Sequence, residues 1–274
     1  MSVVTNDSTS SRPQPPPRQP APHVSHSPGN WSQAVVAGHS CDVYEPPRRN
    51  EHGYVVVYLH GVHLTRLTEN EAFCGEFARH GLPVIAPLTG RSWWTNKLCP
   101  EFDAALTAER YVLDHVVPYA AERFGSRPPR LALLGTSMGG QGALRFAFKF
   151  PNVFPIVAAI SPAIDYQLRF YEEGEETLPA MYADAEAVRQ DTATLHVHPL
   201  NWPRNIWFAS DPEDHRWHDS AQKLRMKLWA LGIPHECDLE TSAGGHGWGY
   251  YNRMAPAAMA FIAARLEAER RRVV

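Results

Sequence analysis

Gly135-Thr136-Ser137-Met138-Gly139-Gly140 is the part of the chain best suited to chemistry, because it places a serine between two close glycines. The run follows an apolar stretch, Arg130 to Gly135, and precedes a helical pattern from Gln141 to Phe150. That context is the one in which a G-x-S-x-G sequence builds a nucleophile elbow, a sharp strand-to-helix turn that presents the serine hydroxyl above a sheet. Side chains two residues before or after the serine would collide with the neighbouring strand and helix, hence the glycines. The same turn aims the Met138 N–H, at a helix N-terminus, toward an oxyanion forming on a substrate carbonyl. A bare glycine-rich αβ turn with an idle serine is the competing reading.

A serine hydroxyl needs a base, and on this architecture the order along the chain is serine, acid, histidine. Thr241-Ser242-Ala243-Gly244-Gly245-His246-Gly247-Trp248 follows the last strand-like segment, so His246 is the expected base. The acid is expected after Ile206 to Ala209, in Ser210-Asp211-Pro212-Glu213-Asp214-His215. Its role is to fix the imidazole tautomer and stabilise the imidazolium. Asp214 is preferred because a few residues usually separate strand end and acid; Asp211, which would then cap the turn before Pro212, and Glu213 stay open. The second oxyanion donor is expected in His60-Gly61-Val62, with the Val62 N–H donating and Gly61 allowing close approach of the substrate. Trp93, Trp94 and Trp248, all in loops after strand ends, are candidate walls of a substrate pocket.

Other chemistries find less support. Fourteen histidines invite a metal reading, and His196 with His198, or Asp214 and His215 with His218, can be drawn as ligand pairs. None has a third ligand at a fitting spacing and no H-E-x-x-H motif occurs, so no metal is expected. The absence of a Walker loop and of a G-x-G-x-x-G fingerprint leaves nucleotide cofactors without support, so the expectation is of no cofactor at all. With 26 basic against 29 acidic side chains, a global grip on nucleic acid or an anionic membrane is not expected. No run of about 18 apolar residues is present, and the N-terminus does not read as a secretory signal. Cys41, Cys74, Cys99 and Cys237 are scattered, with no C-x-x-C pair, which favours free thiols in a reducing cytoplasm.

The elements that must position these residues follow from hydrophobic periodicity. Strands are expected over Ser40–Tyr44, Tyr54–Leu59, Pro83–Pro87, Arg130–Gly135, Ile156–Ile160, Ile206–Ala209 and His235–Glu240. Helical spacing occupies residues 69–80, 101–124, 138–150, 216–231 and 253–270. Alternation of strand and helix with near-continuous apolar strands specifies an α/β fold, a mostly parallel sheet covered on both faces, with reactive groups at the carboxyl ends of the strands. The segment from 165 to 204 is too long for a plain connection and is expected to form a small helical cap, with a helix over Leu178–Gln190 that gates the site. Residues 1–29 differ from the rest: seven prolines lie between Arg12 and Pro28, and so polar a segment reads as a disordered tail before a globular domain over 30–274. A length of 274 residues suits one such domain plus that tail.

These residues together resemble the esterase D-like branch of the α/β-hydrolases, which includes S-formylglutathione hydrolases, enterochelin-type esterases, feruloyl esterases and mycolyltransferases. The resemblance covers most of residues 40 to 265. It is carried by Gly135 to Ala143, by Phe150-Pro151 with Phe154 and Ser161-Pro162, and by Gly245-His246 with Trp248. It implies an α/β-hydrolase fold, a triad of Ser137, Asp214 and His246, and hydrolysis of a small-molecule ester or thioester without metal or organic cofactor. Two departures accompany it. S-formylglutathione hydrolases read like Ser-Gly-Leu-Thr-Cys where this chain has His60-Gly61-Val62-His63, which bears on glutathione thioester specificity. The acid loop is one residue longer, which keeps Asp211 beside Asp214 as a candidate. Acyl transfer on the same scaffold, peptide hydrolysis, and a non-catalytic hydrolase-like domain recruited through the proline-rich tail are the alternative functions.

Overall fold

Near-continuous apolar strands bury both of their faces, and the structure, a computed structural model describing residues 29–272, is built around one such sheet. Its eight strands are β1 (Asn30–Val36), β2 (His39–Glu45), β3 (Val55–Leu59), β4 (Val84–Pro87), β5 (Leu131–Thr136), β6 (Ile156–Ile160), β7 (Asn205–Ala209) and β8 (Glu236–Asp238). They lie in the order β1-β2-β4-β3-β5-β6-β7-β8. β1 pairs antiparallel with β2, and β2 antiparallel with β4; every pairing from β4 to β8 is parallel. The chain is thus an α/β protein with a mostly parallel sheet.

Alternate side chains of each central strand enter opposite cores. Val55, Val57 and Leu59 of β3 and Leu131 and Leu133 of β5 pack on one side. There they meet α2 (Ala108–Tyr111), α3 (Val117–Phe124), α4 (Met138–Lys149) and α7 (His218–Ala230). A π-helical turn, Val112–Val116, joins α2 to α3. Val56, Tyr58, Ala132 and Leu134 face the other side, against α1 (Glu71–His80) and α8 (Trp248–Arg270).

The segment 165–204 contains two short helices, α5 (Thr177–Met181) and α6 (Ala185–Arg189), flanked by 3-10 turns at Tyr166–Arg169 and Ala193–His196. The single helix expected over Leu178–Gln190 is therefore broken. Tyr182 leaves α5 in an extended conformation, and the Asp184 carboxylate starts α6 anew by accepting from the Ala187 N–H at 2.7 Å. The proline-rich tail expected over residues 1–29 lies, apart from Gly29, outside the described residues.

Candidate active site

β5 delivers Ser137 to the carboxyl edge of the sheet, and α4 begins at the next residue. Ser137 has φ 55° and ψ −118°, a conformation costly for a residue with a Cβ. The surroundings hold it there. Its N–H donates to the Ile160 carbonyl at 3.0 Å, and its own carbonyl accepts from Gln141 at 3.0 Å and Ala163 at 3.1 Å. The glycines expected on steric grounds are required by contact: a Cβ on Gly135 would strike the Gly139 carbonyl, and one on Gly139 the Leu59 carbonyl.

His246 lies in the loop between β8 and α8, which Gly244 and Gly245 turn through φ 87° and 77°. Its Nε2 is 2.9 Å from the Ser137 Oγ, and its Nδ1 is 2.7 Å from Oδ2 of Asp214. The two contacts fix the tautomer: Nδ1–H donates to the carboxylate and Nε2 faces the serine hydroxyl with a lone pair. Asp214 is almost wholly buried, and its other oxygen accepts from the Trp217 N–H at 3.1 Å.

Asp211, the alternative acid, makes a different set of bonds. Its carboxylate accepts from the backbone N–H groups of Glu213 at 2.8 Å, Ala243 at 2.6 Å and Gly245 at 2.9 Å. Burial pushes its carboxyl up, but these donors outweigh burial and hold it below the usual carboxylate range. Asp211 therefore ties the acid loop to the histidine loop, while Asp214 is the one that meets the imidazole. Glu213 contributes backbone here: its carbonyl lies 3.3 Å from where Gly245 would carry a Cβ.

A small pocket of about 30 Å³ beside Ser137 is lined by Gly61, Val62, His63, Thr65, Thr136, Trp248 and Tyr251. Gly61 sits so close that a Cβ there would lie 3.3 Å from the Ser137 Cβ. The N–H groups of Met138 and Val62 are engaged by no backbone carbonyl of the described residues. His60 is buried and its burial lowers its pKa to about 4, so the ring is neutral. Its Nε2 accepts from the Thr89 N–H at 3.2 Å, which leaves Nδ1–H to donate to the Gly61 carbonyl at 3.0 Å. Because a trans peptide points its C=O and N–H in opposite directions, that bond turns the Val62 N–H away from His60.

Two expectations fail here. Trp93 and Trp94 do not line the pocket; both are buried, at φ 51° and 57°. Trp93 stacks on Tyr166 at 4.8 Å, and the Trp94 indole donates to the His60 carbonyl at 3.1 Å while filling the space that Gly142 leaves open. Large apolar rings gain more from that packing than from a wet loop, and Trp94 braces the His60 turn from behind. The 165–204 segment likewise contributes no lining residue to the pocket. It docks on α4 instead, through Gln141 Oε1, which accepts from the Ala193 N–H at 2.9 Å, and through Arg145, which meets Asp191 at 2.6 Å.

The pairs weighed as metal ligands are dispersed. His196 contacts Asp191 at 3.0 Å, and His218 Nδ1 lies 3.2 Å from the Ser210 carbonyl. Among the described residues no three or more of His, Cys, Asp and Glu gather as a metal site would require. Sequence reasoning expected Asp211 to cap the turn at Pro212, as its bond to the Glu213 N–H does, but missed Tyr251 and the bonds of Asp211 to Ala243 and Gly245. Tyr251 carries no motif, and only the start of α8 five residues before the expected 253 brings it to the pocket.

The fold recurs among solved structures. Fluorophosphonate-binding serine hydrolase F of Staphylococcus aureus superposes with a TM-score of 0.72 at 17% identity, covering 86% of this chain and 99% of that one. An S-formylglutathione hydrolase from Agrobacterium tumefaciens gives 0.69 at 18%, covering 86% and 94%. MPT51 of Mycobacterium tuberculosis gives 0.69 at 15%, covering 86% and 99%. At such identities the likeness is one of fold, the α/β-hydrolase fold. No curated protein matches the sequence. A family model does: the one described as "Putative esterase" matches residues 32–258, which takes in β2 to β8, most of β1 and every residue around Ser137 discussed above. By that match the chain belongs to this esterase family of the α/β-hydrolase superfamily.

Proposed function

We propose that this esterase is a serine hydrolase that cleaves a carboxylic ester or thioester of a small molecule through an acyl-enzyme. Ser137 is the nucleophile, His246 the base and Asp214 the acid. The observation that carries this reading is the placement of His246 between the Ser137 Oγ at 2.9 Å and Asp214 at 2.7 Å. As the Oγ–carbon bond forms, the serine proton passes to His246 Nε2 and the carbonyl electrons move onto oxygen. The N–H groups of Met138 and Val62 receive that oxyanion, each worth on the order of 3 kcal/mol of barrier. Collapse breaks the bond to the leaving alcohol or thiol, which takes the proton from His246. Water then repeats the cycle on the acyl-enzyme.

Asp214 keeps the imidazole oriented and compensates the imidazolium without itself gaining the proton. Gly61 leaves room for the substrate oxygen and Trp248 walls the pocket. No step calls on a metal or an organic cofactor. Four free cysteines, three of them buried, suit a reducing compartment such as the cytoplasm.

A panel of p-nitrophenyl esters and acyl thioesters tests the reading. Wild-type protein is expected to turn over at least one class, and Ser137→Ala to lose on the order of 10³-fold or more in kcat while keeping its melting temperature. Turnover by Ser137→Ala at the wild-type rate would show that the chemistry lies elsewhere.

A further inference from the structure

Tyr251 has a hydroxyl that the scheme above leaves without a task. The residue lies in the first turn of α8, with its N–H bonded to the Gly247 carbonyl at 3.0 Å. Its ring stands edge-on to the imidazole of His246, centroids 5.5 Å apart at 89°, and edge-on to Trp248 at 5.3 Å. Both contacts fix where the phenol points. It lines the same small pocket as Gly61, Val62 and Ser137, and it is 6% exposed. The side chains of Tyr251 and Ser137 thus share one small space, in which the Ser137 hydroxyl is engaged by His246 at 2.9 Å.

The position matters because of where charge develops. The oxyanion and the Ser137 Oγ are bonded to one carbon in the tetrahedral intermediate, so they lie within about 3 Å of each other. A phenol that lines the same space of about 30 Å³ as Ser137 and the Gly61–Val62 turn is placed to meet that oxygen. We propose that Tyr251 donates its phenolic hydrogen to the oxyanion, as a side-chain member of the oxyanion hole beside the Met138 and Val62 N–H groups. The inference rests on Ser137 being the nucleophile. Burial, with Asp214 and Tyr58 nearby, raises the phenol well above its ordinary range, while Ser137 opposes that shift. Tyr251 therefore stays protonated wherever His246 can act as base, and it donates without giving up its proton.

The opposite assignment is equally definite: Tyr251 as acceptor from the resting serine, holding the proton away from His246. Tyr251→Phe separates the two, since it keeps the ring packed on His246 and Trp248 and removes one oxygen. Kinetics on p-nitrophenyl acetate and affinity for a trifluoromethyl ketone, which forms a tetrahedral oxyanion on an active serine, are measured together. If Tyr251 stabilises the oxyanion, kcat/KM falls by roughly tenfold to hundredfold and ketone affinity falls by the same factor, with KM, melting temperature and the shape of the pH profile unchanged. Turnover and ketone affinity both within about twofold of wild type, or a faster enzyme, would overturn the proposal. So would a loss of turnover not matched in ketone affinity, which would reduce the residue to packing. Ser137→Ala, run alongside, keeps the two claims apart. If it retains turnover, the nucleophile is misassigned whatever Tyr251→Phe does; if it is inactive, Tyr251→Phe decides the inference alone.

Discussion

Two aspartates three residues apart in one loop divide the work around His246, and the division follows from what each carboxylate can reach. Asp214 has one oxygen on the imidazole and the other on the Trp217 N–H, whereas Asp211 spends its acceptors on three backbone donors. Asp214→Asn would replace an ionised acceptor by a neutral amide that offers the wrong tautomer to His246, so kcat is expected to fall by about 10³-fold or more with the fold intact. Asp211→Asn would instead turn an amide NH2 toward backbone N–H groups or leave them unpaired. That costs about 1–3 kcal/mol of stability, read in urea unfolding, and a smaller part of kcat. Equal kinetic losses in the two variants, without a stability loss in Asp211→Asn, would reverse their roles. The sterics of the two glycines flanking Ser137 were legible in the sequence because they are a local rule. The choice between Asp214 and Asp211, and the arrival of Tyr251 beside Ser137, were not, since both depend on how separate loops meet in space.

At the scale of elements, the buried strands declared themselves because they are apolar on both faces; β3, β5 and β6 fall within a residue of where periodicity places them. β1 escaped notice. It is an edge strand, Asn-Trp-Ser-Gln-Ala-Val-Val, with most residues exposed or half-exposed, so no apolar alternation marks it. The helical pattern from 101 begins in the structure only at Ala108, where the Thr107 hydroxyl accepts from the Arg110 N–H at 3.2 Å and caps α2. α4 carries a second feature that spacing could not reveal. Arg145 is buried and pairs with Glu109 at 2.5 Å on α2 and with Asp191 at 2.6 Å after α6. This pairing, with the Gln141–Ala193 bond, holds the 165–204 segment to the flank of the elbow helix. Arg145→Met would remove the buried cation between Glu109, which keeps Lys149 at 2.5 Å, and Asp191, which keeps His196 at 3.0 Å, at a cost of up to about 3–5 kcal/mol. A lowered melting temperature, with increased protease cutting between residues 165 and 204, is the expected result; an unchanged melting temperature would show that the pair contributes nothing net.

Across the whole molecule, the sheet order does the positioning. β3, β5, β7 and β8 run parallel, so the loops bearing Gly61 and Val62, Ser137, Asp214 and His246 all leave the same edge. The fold class and the esterase family were both within reach of the sequence, since strand–helix alternation and the elbow motif survive without knowledge of packing. The pocket walls were so only in part: Trp248 and Gly61 line the pocket, but Trp93 and Trp94, in a loop at a strand's carboxyl end as wall residues would be, fold inward, Trp94 as a brace for the His60 turn and Trp93 stacked on Tyr166. Among the described residues no helix is long and apolar enough to cross a membrane.

The central claim is that Ser137 is an activated nucleophile, and intact-mass analysis after exposure to a fluorophosphonate probe addresses it most directly. Attack by Ser137 on phosphorus expels fluoride and leaves one covalent phosphonyl group, so wild-type protein is expected to gain the mass of a single adduct and Ser137→Ala to gain none. A folded wild-type protein that stays unlabelled, or a Ser137→Ala variant that labels as readily as wild type, would contradict the account.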